Sequence, residues 1–508
     1  VEAIQEFKLQ NNSFSAEYGN NGGTVVSIVT KSGTNQFHGS GWWFMRRPSL
    51  DANDFFSNAG GQPKGDYAHD QYGGSIGGPV IKQKTFFFFD YEKQRNNSPF
   101  TIIASVPTDL QKQGDFSQTF NPDGSLEQIF NPKNVTCTGA GSSLDCQRAP
   151  FPGNKIPVSQ MDPIGQNLIK LYPSQTDPGD PVTGLNNYTK KLVESGPGYQ
   201  YDIRIDHNFS DTNRITGRYS RSHSTDFRPD PFLQPNKYLA NTHDIALQEH
   251  WTPSPTTLWT NRISLHRGVF PQKVQPTVDP LSVGFPPILI NNPWYQSPAF
   301  PNIYVDGYQG LATSACCTET LETDTQWAFS SLLTKVVGSH NMRFGGEKRI
   351  FLNNFFQPDN TSGSFTFSPN VTMQSVFSPD SVQGNGLASM LMGWGSGALV
   401  ARPHVANKSG EAAFYFQDDW KITSRLTLNL GLRYEWSTPY SERYNHNQLT
   451  CFTCPSGITV PAMPESNFRP RSGAMPIPIT TILHLVSVLL TGWTQRRWCA
   501  VEPGSTTA

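Results

Sequence analysis

A strict alternation stands out in the last fifth of the chain. Leu426, Leu428, Leu430, Leu432, Tyr434 and Trp436 take every second position, with Thr427, Asn429, Gly431, Arg433 and Glu435 between them. Successive side chains of a strand point to opposite faces, so this spacing predicts a strand with one apolar and one polar face. Ten steps at ~3.4 Å, tilted by about 40°, project to ~26 Å, close to the ~25 Å apolar band of an outer-membrane barrel.

Comparable segments recur in pairs. Tyr201, Ile203, Ile205 and Phe209 alternate with Asp202, Arg204, Asp206 and Asn208, then turn at Ser210–Asn213 into a partner that reaches Tyr219. Ile245, Leu247 and Trp251 precede Thr252–Pro255, and Trp259, Ile263 and Leu265 follow. Trp327 and Phe329 run to Gly338–His340, after which Met342, Phe344 and Ile350 return. Phe414, Phe416 and Trp420 reach Lys421–Ser424 and pass into the Leu426 strand. Each pair reads as a hairpin with a tight polar turn. Long segments, 96–200, 225–242, 269–321 and 353–410, separate the pairs and hold much of the Pro, Gly, Asn and Ser. Short turns at one end and long loops at the other predict an antiparallel transmembrane β-barrel, whereas a soluble sandwich spaces its strands every ~8–12 residues. Trp251, Trp259 and Trp420 beside the turns, and Tyr434 and Trp436 at the far end, suit two aromatic girdles at headgroup depth. Arg204, Asp206, Arg218 and Glu435 then face a wet lumen.

Composition narrows the function classes. In 508 residues, 39 Lys and Arg balance 40 Asp and Glu, which argues against a nucleic-acid partner. Charged residues are 16%, below the roughly 25% of soluble domains, while aromatics reach 12%. The longest apolar stretch, Ile477–Leu490, is interrupted by Pro478, Thr480, Thr481, His484 and Ser487 and falls short of the ~20 residues a spanning helix needs. The chain opens at Val1 without a signal-peptide pattern and reads as one whose true N-terminus lies upstream. Cys137 with Cys146, and Cys451 with Cys454, suit local loop disulfides; adjacent Cys316 and Cys317 read either way, and Cys499 stands alone. Cys-x-x-Cys at 451–454 lacks a second ligand pair, so no metal site is expected, and no cofactor.

The N-terminal residues carry a family pattern. Ser15-Ala-Glu-Tyr-Gly19, Gly22-Gly-Thr-Val-Val-Ser-Ile-Val-Thr-Lys-Ser-Gly-Thr-Asn35 and Phe37-His-Gly39 resemble the plug-to-barrel junction of TonB-dependent receptors, in particular the Oar-like subgroup. Tyr72-Gly-Gly-Ser-Ile-Gly-Gly-Pro79, Lys84-Thr-Phe-Phe-Phe-Phe-Asp-Tyr-Glu92 and Arg95 are similar to its second and third strands; Phe416-Gln-Asp-Asp-Trp420 with Leu428–Glu435 is similar to a later hairpin. The resemblance covers roughly residues 1–471. It implies a barrel of about 22 strands closed by a plug, moving a substrate across the outer membrane with energy relayed by the TonB complex. About eleven or twelve strands are expected here, so the barrel is incomplete. Residues 1–34 read as the end of the plug, 35–471 as part of the barrel, and 472–508 as an aberrant tail that suggests a frame shift near Arg471. The TonB-contact segment lies outside this sequence. An open sheet with unpaired edges is not expected to insert stably or to transport.

Gly73-Gly-Ser-Ile-Gly77 is a literal Gly-x-Ser-x-Gly, but Gly78-Pro79 follows instead of a helix, which argues against Ser75 as a nucleophile. Asp418 and Asp419 are strand neighbours and point to opposite faces, so they cannot share a proton. No constellation supports an enzyme. Substrate contact is expected in the loops 96–200 and 269–321, where Trp294, Tyr295, Tyr304 and Tyr308 offer stacking surfaces. The alternative is a secreted or surface β-rich adhesion or carbohydrate-binding protein, which would bury the alternating apolar faces instead of giving them to lipid. Sequence leaves the transported substrate open.

Overall fold

The computed structural model describes residues 3–444 except 12–14, 20–22, 54, 56–57, 59–63, 142–143, 290–298, 314–318, 360, 379–381 and 401, together with the short strands 448–450, 459–461 and 484–486. In chain order the first strands are β1 (Ile4–Gln10), β2 (Val25–Thr30), β3 (His38–Arg46), β4 (Ala68–Ile81), β5 (Thr85–Ala104), β6 (Phe130–Thr138), β7 (Asp145–Pro150) and β8 (Tyr188–Ser210). There follow β9 (Asn213–Arg228), β10 (Asn236–Ser254), β11 (Thr257–Val274), β12 (Asn302–Val305), β13 (Glu319–Val337) and β14 (His340–Phe356). The series closes with β15 (Ser364–Phe367), β16 (Ser396–Ala398), β17 (Val405–Thr423), β18 (Leu426–Glu442), β19 (Gln448–Thr450), β20 (Thr459–Pro461) and β21 (His484–Val486).

One antiparallel sheet organises the chain, in the order β3-β4-β5-β8-β9-β10-β11-β13-β14-β17-β18-β21. Almost every neighbour is also the next long strand in sequence, the up-and-down order of a barrel wall. Among the described residues the wall does not close on itself: β3 forms one edge and β21, held only by Gly431, Leu432 and Arg433, the other. The strands run longer than the alternation suggests. β5 extends to Ala104 and β8 begins at Tyr188, so the expected loop 96–200 contracts to 105–187. At ~3.4 Å per residue such strands rise well above a ~25 Å apolar band, and once they leave lipid nothing requires alternate residues to be apolar.

The two faces of the wall are chemically distinct. Leu430, Leu432, Tyr434 and Trp436 of β18 lie exposed on the outside, as do Phe414 of β17, Phe344 of β14 and Phe329 of β13. Trp251 stacks on Trp259 beside the β10–β11 turn, and Trp420 on His340 beside the β13–β14 turn. Phe88 is buried inward and Phe89 exposed outward, which resolves the phenylalanine run into two faces. The Gly-rich stretch of β4 lets neighbouring segments approach closely, Gly33 among them. A Cβ on Gly73 would fall 2.7 Å from the Trp42 ring, and one on Gly78 2.4 Å from the Phe37 ring; these positions seat aromatics of the neighbouring chain segments. Ser75 lies within β4 and its hydroxyl pairs with that of Ser40, without the strand-to-helix turn of a nucleophile elbow.

The main hydrophobic core is not in the wall but above it. Three long loops condense together around helices α1 (Asp109–Lys112), α2 (Pro163–Ile169), α3 (Pro280–Val283) and α4 (Gly386–Leu391). Phe116, Ile129 and Leu168 from the first loop meet Phe300, Ile303 and Leu311 from the second and Leu387, Met390 and Leu391 from the third. Every residue of α4 is buried, so the short apolar run at 387–392 is the centre of this cap. Cys137 and Cys146 form the expected local disulfide across β6 and β7. Cys316, Cys317, Cys451, Cys454 and Cys499 lie outside the described residues, as does most of 472–508.

Candidate functional site

Two features stand out from the wall: a polar clamp on its inner face and the cap above it. The clamp grips the N-terminal segment. β1 and β2 pair as a hairpin, and residues 15–19 between them reach the lumen side of β14, β17 and β18. Alternation places Arg433, Gln417 and Arg343 on one inner patch, because Arg343 is registered with Gln417 and Gln417 with Gly431.

Arg433 is the centre of that patch. Its side chain is 2% exposed; Nε donates to Glu435 Oε1 at 2.6 Å and Nη2 donates to Glu347. Nη1 donates to the carbonyls of Ala16 at 3.3 Å and Glu17 at 3.0 Å, and the guanidinium lies over the Tyr415 ring. The Ala16 N–H donates to Gln417 Oε1 at 3.1 Å. Arg343 pairs with Asp419 at 2.6 Å and reaches Ser15 Oγ at 3.4 Å. At the other end of the segment, Arg204 donates to the Thr30 carbonyl at 2.6 Å while forming a two-point pair with Asp206, which Arg214 also contacts. Such guanidinium groups keep their charge in a covered site only because carboxylates pair with them. Most of their contacts to the N-terminal segment are to backbone carbonyls, so the grip depends on the path of that segment more than on its side chains. Arg204, Asp206 and Glu435 do face the lumen as expected, but protein rather than water covers this part of it. Asp418 and Asp419 diverge as expected: Asp418 accepts from the His340 ring, and Asp419 holds Arg343.

The junction at Gly33 is equally tight. A Cβ there would sit 2.3 Å from the Phe87 carbonyl oxygen and 2.6 Å from that of Gly78. Only glycine lets the chain cross the barrel wall so closely.

In the cap, Tyr304 is 39% exposed on β12, whereas Tyr308 is half-buried against the loop core. Burial pushes the Tyr308 hydroxyl far above the ordinary phenol range. Trp294 and Tyr295 lie outside the described residues. The structure therefore does not bring the four aromatics together at one described surface. A residue that sequence reading passes over is Asn385. Its oxygen caps α4 by accepting from the Leu387 and Ala388 amides, and its nitrogen donates to Glu127 at 3.1 Å and to the Tyr308 hydroxyl at 3.4 Å. One side chain thus joins all three loops. Burial raises the Glu127 carboxyl to about 7. Among the described residues there is no cluster of metal-ligating side chains.

An antiparallel wall with an apolar outside, aromatic girdles and a polar, segment-filled inside defines an outer-membrane β-barrel. Residues 29–474 match the family described as Outer membrane beta barrel domain, and the chain belongs to that family. This places it in the outer membrane of a Gram-negative bacterium and sets aside the secreted adhesin. Over 490 residues it is 22% identical to the TonB-dependent transporter Oar of Myxococcus xanthus, covering 87% of this chain and 40% of that protein. The chain therefore spans about 40% of the length of this relative. Among solved structures it is similar to the outer membrane transporter YddB from Escherichia coli (8% identity, TM-score 0.45, 87% of this chain and 44% of that one). It is also similar to the siderophore receptor PirA from Acinetobacter baumannii (12% identity, TM-score 0.41, 87% and 45%).

Proposed function

We propose that this chain is the plug-junction half of a TonB-dependent outer-membrane transporter. Its cap captures a substrate, and its arginine clamp holds the plug segment across the path until energy from the TonB complex displaces it. The observation that carries this reading is the bonding of Arg433 and Arg204 to the backbone of residues 16, 17 and 30. Contacts to carbonyls can be exchanged for water as the segment moves, leaving the guanidinium–carboxylate pairs of the wall in place. Exposed Tyr304, with Trp294 and Tyr295 of the same loop, is proposed as the substrate-facing set; Tyr308 serves the packing of the cap.

The test uses the complete transporter with Ala16→Cys in living cells. A membrane-impermeant maleimide is expected to label position 16 several-fold faster in energised cells than after a protonophore is added or TonB removed. Equal labelling under all three conditions refutes the displacement.

A further inference from the structure

The outer face of the wall carries a polar device that neither transport nor the plug uses. In β9, β10, β11 and β13 the residues facing away from the lumen are the odd-numbered ones, since Asp206 and the residues registered in turn across the sheet, Thr216, Gln248, Arg262 and Ser330, face inward. Glu249 therefore points outward, one step of the alternation above Trp251, about 7 Å along the strand. A carboxylate at that depth, just inside an aromatic girdle, is disfavoured by hydrocarbon and calls for a partner.

The groups bonded to Glu249 are all neutral donors, and Lys348, the outward cation that lines the same groove, lies over the Trp436 ring. Trp259 Nε1 donates to Ser331 Oγ at 2.8 Å, and Ser331 Oγ donates to Asn261 Oδ1 at 2.8 Å. Asn261 Nδ2 donates to one Glu249 oxygen at 3.1 Å, and Asn213 Nδ2 to the other at 2.9 Å. Every donor in this chain points toward the carboxylate, so the chain polarises in its favour. Among the described residues Glu249 forms no ion pair; Lys335 on the same face is taken up by the hydroxyls of Thr256 and Thr257. Glu249 lines one end of a groove of about 910 Å³ whose apolar walls are Leu247, Ile263, Phe329, Phe344 and Phe414 and whose floor includes Gly346.

We infer that this face is a binding site for a phospholipid whose headgroup ends in a primary ammonium. Glu249 takes the ammonium at the level of the girdle beside the short turns, and the groove takes an acyl chain. The charge decides between lipids: an anchored carboxylate whose bonded partners are all neutral favours an ammonium headgroup and disfavours a purely anionic one. The inference rests on the outer-membrane placement of the barrel, but not on its energised transport.

Native mass spectrometry of the complete protein, released from membranes containing equal phosphatidylethanolamine and phosphatidylglycerol, tests it. Wild-type protein is expected to retain phosphatidylethanolamine about tenfold over phosphatidylglycerol. Glu249→Gln is expected to abolish that preference, whereas Gly346→Leu, which raises the floor, is expected to lower retention of both lipids. Lys348→Gln, also at the groove, controls for loss of any charge and is expected to keep the preference. Equal retention by wild type, an unchanged preference in Glu249→Gln, or a lipid-free dimer joined through this face overturns the inference while leaving the transport reading intact. Retention of neither lipid also overturns the inference.

Discussion

Replacing Arg433 by Met isolates the clamp. The guanidinium is almost fully covered, so solvent does not screen what it does. Two of its hydrogen bonds go to the Ala16 and Glu17 carbonyls, and two go to Glu347 and Glu435. Hydrogen bonds from a charged donor are worth ~1.5–3 kcal/mol each, so the pair to the segment accounts for about 3 kcal/mol of its seating. That corresponds to roughly two orders of magnitude in the ratio of released to seated segment. Loss of the cation also leaves two carboxylates facing each other, which costs further but falls on the wall. The assay is amide hydrogen exchange at Ala16, whose N–H is bonded to Gln417 and reports seating directly. Exchange there is expected to accelerate about 100-fold in Arg433→Met, with the β9–β11 amides unchanged. Arg433→Lys, which keeps the charge but loses the fork, is expected to fall between. Ala16 protection within threefold of wild type in Arg433→Met would refute the clamp.

The cap makes two further predictions. Because burial lifts the Glu127 carboxyl from 4.5 to about 7, the folded cap binds a proton more tightly than the unfolded loops. Stability is therefore full below pH ~4.5, falls as pH rises to about 7, and is lower by about 3 kcal/mol above that. Glu127→Gln is expected to remove this dependence and to slow proteolysis of the outer loops at pH 8 but not at pH 4; an unchanged pH profile contradicts it. Leu391→Ala, at a fully buried position of α4, is expected to destabilise the cap by ~2–5 kcal/mol and to loosen all three loops together. Protease sites opening in the third loop alone would show that the loops do not share a core.

Much of the wall was legible because a membrane strand writes its environment into every second residue. Leu426–Trp436 and its counterparts show lipid, lumen and girdles without reference to anything distant in the chain. The strand tops were not legible, since residues such as Lys190, Lys191 and Glu194 of β8 stand above the band where alternation is enforced. The cap was illegible for a different reason. Its core assembles from segments as far apart as Glu127 and Asn385, 258 residues distant, and each loop alone shows only scattered apolar residues. Arg433 gave one faint signal, a cation at an inward position of a leucine-rich strand. Its partners Ala16 and Glu17 lie more than 400 residues away, so pattern reading could place it in the lumen but not say what it holds.

Nitroxide scanning of residues 428–436 in the complete barrel tests the central claim, that alternate side chains of these strands divide between lipid and lumen. Labels at 428, 430, 432 and 434 should be reached by oxygen dissolved in hydrocarbon and shielded from a water-soluble nickel complex. Labels at 429, 431 and 435 should show the reverse or be shielded from both by the clamped segment. Uniform accessibility along the strand, or even-numbered positions shielded from oxygen as in a dry globular core, would contradict the account.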